Sequence, residues 1–146
     1  MVNLSEFFGS PYKIAMYPTV PKNLNYSPLY EKALDIFKIS RSISHYFVDD
    51  LAYLQPNGQE DPHIYFSGDI VQQSNSLAPE ILKAEQQAFT EDKHRYAASV
   101  NRLTNQLYQN CERLERSHSN GKDFLRILRK ELKVFRRLQR TWMLTL

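Results

Sequence analysis

Apolar residues return every three or four positions in four successive stretches of this chain, and short runs of turn-forming residues separate the stretches. In the first, Tyr30, Ala33, Leu34, Phe37, Ile39, Ile43, Phe47, Leu51 and Leu54 make a broad helical face. Ser27 supplies an N-cap, Pro28 suits the first turn, and Glu31 lies near the positive end of the helix dipole. Pro56-Asn57-Gly58 is turn chemistry and predicts that this helix ends near Gln55. Asp61-Pro62 starts the second helix, in which Ile70, Ser74, Leu77, Ile81, Ala84 and Ala88 mix small with branched residues, so that a neighbouring helix can approach closely. Pro79 falls inside this run and predicts a kink or interruption, because it lacks an N–H and its ring meets the preceding turn. The third helix opens at Thr90 or Glu91 and turns Tyr96, Val100, Leu103, Leu107, Cys111 and Leu114 inward. Ser117-His118-Ser119-Asn120-Gly121 closes it, with Gly121 as a potential C-terminal glycine.

Residues 121–146 form the fourth stretch and the most unequal one. Phe124, Leu125, Ile127, Leu128, Leu132, Val134, Phe135, Leu138 and Trp142 take one side. The opposite side carries Lys122, Arg126, Arg129, Lys130, Lys133, Arg136, Arg137 and Arg140, which at about 100° per residue share an arc of roughly 120°. Four helices joined by short turns predict an all-α, antiparallel up-down four-helix bundle over residues 27–146, and no convincing strand competes. Residues 1–26, where Pro11, Pro18 and Pro21 are spread among Phe7, Phe8, Tyr12, Tyr17 and Tyr26, have no helical period and read as an irregular arm.

Charge sharpens this picture. The last stretch holds eight basic residues and two acids, Asp123 and Glu131, a balance of +6, so the rest of the chain sums to −3 beneath a net charge of only +3. A focused positive strip attracts polyanions far more strongly than the net charge implies. Five of the eight are arginines, whose planar fork suits phosphate pairs. Dipole complementation covers only a helix's last turn, whereas this stripe begins at Lys122. Glu131 falls near the centre of the apolar arc, and there it should either pair with a cation or sit at a subunit edge.

The remaining chemistry is sparse. A single cysteine, Cys111, excludes an internal disulfide framework and fits a reducing cytoplasm. Charges interrupt every apolar run before it could span a bilayer, so a soluble, cytoplasmic protein is expected. His45, His63 and His94 are dispersed, no metal-ligand spacing or cofactor fingerprint occurs, and neither a metal nor a cofactor is expected. Arg113 and His118 have the loose arginine-x4-histidine spacing of HEPN-type ribonucleases, but Leu114 follows the arginine where those enzymes usually carry a polar residue. A non-enzyme is therefore expected, with catalysis at that pair as the weaker alternative.

Three stretches resemble the bacterial four helix bundle protein family, which comprises proteins encoded in ribosomal RNA intervening sequences and the accessory variability determinants (Avd) of diversity-generating retroelements. They are Tyr30-Glu31-Lys32-Ala33-Leu34-Asp35-Ile36-Phe37; Ile70-Val71-Gln72-Gln73-Ser74-Asn75-Ser76-Leu77 with Pro79 and Ile81; and the leucine-patterned pair from Tyr96 to the C-terminus. Members commonly carry adjacent arginines near Gln72 and Gln73, and here the positive charge lies mainly in the last helix. The resemblance implies a homo-oligomer, often a pentamer, whose basic surface contacts RNA or a reverse transcriptase. Resemblance and stripe together lead to an Avd-like, RNA-binding or DNA-binding accessory protein that helps a retroelement reverse transcriptase engage its template, reading charge and shape more than sequence. The alternative is a structural homo-oligomer of the intervening-sequence type that binds a protein partner.

Overall fold

The computed structural model describes residues 26–146, which fold into four α-helices: α1 (Pro28–Asp50), α2 (His63–Gln86), α3 (Thr90–Leu114) and α4 (Leu125–Leu144). A 3-10 helix over Asn120–Phe124 leads into α4, and no strand occurs among the described residues. The arm expected over residues 1–26 lies outside the described residues except for Tyr26, whose ring stacks on Tyr30 with centroids 4.3 Å apart.

Local chemistry sets the helix limits. Ser27 Oγ accepts from the Tyr30 backbone N–H at 3.2 Å, and Pro28 opens α1, as its sequence predicts. The far end differs: α1 stops at Asp50, not near Gln55, and Leu54 is 63% exposed instead of joining the inward face. Phe47 is the last buried residue of α1, and beyond the half-buried Leu51 the residues Ala52, Tyr53 and Leu54 are exposed, so a longer helix would have added little apolar burial. The chain instead turns at Gly58, whose φ of +80° falls in the left-handed region that favours glycine. Asp61 opens α2 by accepting from the His63 backbone N–H at 2.9 Å.

Of the expected kink or interruption at Pro79, the interruption does not occur: α2 is one continuous helix through that residue. Pro79 and Asn75 are both exposed, so water can serve the Asn75 carbonyl that a residue with an N–H at position 79 would have bonded. The small residues of α2 do lie inside: Ser67, Ser74, Ala78 and Ala84 are buried. Their hydroxyls are satisfied locally, Ser67 by Ile64 O at 2.7 Å and Ser74 by Ile70 O at 2.6 Å, so burial leaves no polar group unpaired. Ala88, predicted inward, lies beyond the helix and is exposed.

Helix α1 packs on α2 and α4, and α3 packs on the same two helices. The shared core includes Ile36, Phe47, Ile70, Leu77, Leu107, Leu114, Leu128 and Phe135, all fully buried. At its edge Gly121 serves a different purpose from the predicted cap. It is buried within the 3-10 helix without a positive φ, and a Cβ there would lie 2.9 Å from Cδ2 of the buried Phe47 ring. Close approach, not left-handed geometry, is what calls for glycine. Gly121→Ala is therefore expected to lower stability by about 1–3 kcal/mol, as overpacking does, measurable as a reduced midpoint in urea denaturation. An unchanged midpoint would mean that Phe47 yields easily.

Candidate nucleic-acid interface

Helix α4 buries Leu125, Leu128, Leu132, Phe135, Gln139 and Trp142 on one side. The Trp142 indole N–H reaches across to Glu85 Oε1 of α2 at 2.9 Å. This buried arc is narrower than the sequence predicts: Ile127 is 44% exposed, while Val134 and Leu138 are half-buried at the margin. On the opposite side Arg126, Arg129, Lys130, Lys133, Arg137 and Arg140 are exposed, and Arg136 is half-buried. Lys122 is exposed too, but it belongs to the 3-10 helix and not to the regular arc of α4.

The eight cations are not equivalent. Arg129 Nη1 donates to Glu115 Oε1 at 2.8 Å. Arg136 Nη2 donates to Asn105 Oδ1, with its guanidinium 4.6 Å from the centre of the Tyr108 ring. Both tethers run to the α3 side. The side chains of Lys122, Arg126, Lys130, Lys133, Arg137 and Arg140 make no hydrogen bond or ion pair with any described residue. Arg126, Arg129, Lys130 and Lys133 together line one open depression of about 260 Å³. Such a lining repels itself and is relieved by an anion, most strongly at low salt. Sequence alone cannot separate tethered from untethered cations, because Asn105 lies on α3 and Glu115 just beyond its end.

Glu131 takes the paired arrangement. Lys32 Nζ of α1 donates to its Oε2 at 2.7 Å, and both side chains are roughly three-quarters buried. The hydrogen bond to Glu131 raises the Lys32 pKa above the ordinary lysine value, outweighing the burial that opposes it.

Arg113 and His118 are not joined by any contact. Arg113 Nη1 donates to Asn110 Oδ1 at 3.0 Å, its guanidinium lies 5.1 Å from the Phe66 ring centre, and His118 is exposed. Sequence reasoning missed a nearby pair, Asp61 and His63, whose Oδ1 and Nδ1 are 2.7 Å apart. Burial alone would raise the Asp61 pKa, but the backbone N–H and ring of His63, with His118 beyond, hold it below the ordinary value. The adjacent Asp-Pro-His spacing is the signal that could have found this turn, and capping α2 accounts for it.

Cys111 is buried, and desolvation first, then the negative charge of Glu115, pushes its thiol up to about 12. Among the described residues, no group of three or more His, Cys, Asp or Glu is placed to hold a metal ion, and no helix is long and apolar enough to cross a membrane. Comparison with protein-family models, curated proteins and solved structures gives no match.

Two measurements check this geometry. Lys32→Met should cost about 1–3 kcal/mol by stranding Glu131, and Lys32→Met with Glu131→Leu should recover most of it. Because the Lys32 pKa is raised in the folded state, its contribution is fully present below the unfolded lysine value and is lost as pH rises through the folded one. Equal losses in the single and double variants would remove the pair from any part in stability. For Cys111, a thiol reagent at mildly alkaline pH should label the protein only after denaturant is added; rapid labelling of the folded protein would show that the thiol opens to solvent.

Proposed function

We propose that this protein is a non-enzymatic, RNA-binding accessory module of the Avd kind, which grips nucleic acid through α4 and helps a reverse transcriptase engage its template. One observation carries the reading: six of the eight basic side chains are exposed with no side-chain partner among the described residues, on the side of the molecule opposite the buried arc of α4. Of the eight stripe cations, only Arg129 has a carboxylate neighbour among the described residues. Phosphate contact is the chemistry this arrangement suits, and it reads backbone more than base.

The proposed scaffold is an antiparallel up-down bundle. Supporting it, Asp50 at the end of α1 accepts from Ser119 Oγ at 2.7 Å and from the Asn120 N–H at 3.0 Å, just before α4 begins. Arg129 in the second turn of α4 likewise meets Glu115 just beyond α3, and Trp142 near the end of α4 meets Glu85 near the end of α2. The reading also includes self-association, as the family resemblance implies, into a homo-oligomer such as a pentamer. Several stripes displayed together would add weak phosphate contacts through avidity. The half-exposed Ile127 beside the stripe favours, as a second reading, a structural oligomer whose basic face docks a protein partner.

Replacing Arg126, Lys130, Lys133 and Arg137 with glutamine distinguishes the two. RNA affinity should fall, the log-log dependence of affinity on salt should flatten by roughly 0.7–0.9 per lost contact, and stability should change by no more than about 0.5 kcal/mol. A Lys93→Gln, Arg95→Gln control on α3 should retain more affinity, since Arg95 is already engaged by Asp92 at 3.2 Å. If the fourfold variant binds RNA as the parent does, the phosphate reading fails and the stripe is a solvated face or a protein-docking surface.

A further inference from the structure

The edge of the stripe nearest α3 opens into a cleft whose lining is only partly cationic. Asn101 of α3 and Arg136, Gln139, Arg140 and Met143 of α4 enclose about 110 Å³. A water occupies about 30 Å³ of liquid, so the cleft has room for roughly three to four waters, enough for the edge of a base whose remainder lies against the rim. Gln139 is only 4% exposed, and its Nε2 has no hydrogen-bond partner. Among the described residues only Ser40 Oγ of α1 shares this lack of a partner, and Ser40 does not line the cleft; the buried polar side chains of α2 and α3 are bonded, Ser67, Ser74 and Thr104 to their own helices and Asn110 to Gln73. The unpaired Nε2 is itself sealed from solvent, so a group in the cleft could satisfy it only after the amide turns. A half-turn of the amide exchanges Nε2 and Oε1 within the same space, so Gln139 can turn either a donor or an acceptor toward the cleft.

We propose that this cleft holds a single unpaired nucleobase of the bound RNA, an inference that rests on the RNA reading of α4 and adds a base-recognising site to it. The lining chemistry separates a base from a phosphate. Phosphate oxygens only accept, and they gain nothing from a thioether; a base has apolar faces and an edge that both donates and accepts. Met143 and the methylenes of Arg140 suit the faces, while the Asn101 and Gln139 amides suit the edge. Amide side chains pair especially well with adenine. The guanidinium of Arg136 is already held by Asn105 and Tyr108, so it forms a fixed plane on which a splayed base can stack. Arg140, one of the untethered cations, lines the cleft as well as belonging to the stripe, so the phosphate of the same nucleotide stays on the track of the backbone.

Three RNA hairpins of equal length and charge test this: one fully paired, one with a single bulged adenosine, and one with an abasic residue at the bulge. The parent protein should bind the adenosine bulge at least about fivefold tighter than either other RNA, the low end of what one stacked base contributes. Gln139→Met and Asn101→Ala should each abolish that preference, so that the three RNAs bind alike. Asn101 is exposed, so its variant carries the test if the buried Gln139 substitution impairs folding. Equal binding of all three RNAs by the parent would overturn the cleft while leaving the stripe in place. Equal preference for the adenosine and abasic bulges would overturn it too, because backbone flexibility would then be the feature recognised. If the parent binds none of the three, the RNA reading itself falls and the cleft falls with it.

Discussion

Burial of one side of α4 against its neighbours is the constraint on which the exposed basic stripe depends. Leu125, Leu128, Leu132, Phe135 and Trp142 are all nearly or fully buried, and each large apolar side chain removed from water contributes about 1.5–3 kcal/mol. The opposing term is repulsion among the cations on the other side, where like charges one turn apart cost about 0.2–0.5 kcal/mol per pair. Burial wins by several-fold. The helix can therefore hold a run of unneutralised charge facing water, at a small cost that an arriving anion removes. Rotation of α4 about its axis would exchange these two terms, and so the core fixes the direction in which the stripe points.

The position of α4 along its axis is set at one corner of the fold. Asp50, free of the helix it terminates, accepts both from the Ser119 hydroxyl and from the Asn120 N–H, while Ser119 Oγ in turn accepts from the Gly121 N–H at 3.0 Å. Gly121 then passes against the Phe47 ring with no room for a side chain. These contacts tie the end of α1 to the start of α4. The Lys32–Glu131 pair adds a second tie between the same helices, nearer the start of α1. Two fixed points on one helix pair leave little freedom to slide.

Much of the helical layout was legible because it rests on local rules. Ser27 before Pro28, the acids after Thr90 and the apolar spacing of α3 and α4 act within a turn or two of their own residues, and the start of α1, the start of α3 and the side on which the cations lie follow from them. What escaped sequence reasoning depends on residues distant in the chain. The end of α1 lies where apolar partners run out beyond Leu51, a property of the neighbouring helices, so spacing alone makes Leu54 another inward residue. Pro79 looked like a breaker because its exposure, which lets water replace a lost bond, is a property of the assembled helices. Gly121 was assigned to a cap because a glycine after a helix has that role so often, whereas its true constraint is a ring more than seventy residues earlier. The site divides in the same way. The stripe is a periodicity and could be read directly, but the tethering of Arg129 and Arg136 by α3 could not.

That division among the cations gives the surface a direction. On the α3 side, Glu115 neutralises Arg129, while Asn105 and Tyr108 hold Arg136 in place, so this edge is the more rigid and the less attractive to a distant anion. The outer cations, Arg126, Lys130, Lys133 and Arg137, keep their full field and their side-chain freedom. Long-range attraction therefore acts mainly through the outer row, where binding must order flexible side chains and is correspondingly sensitive to salt. The inner edge, already ordered by the fold, is where geometry can be discriminated at little further entropic cost. Gln139 and the cleft lie along that edge. On the proposed reading, capture by mobile charge and selection by a preorganised wall would fall to opposite edges of one stripe, and α4 could serve both because α3 holds only one side of it.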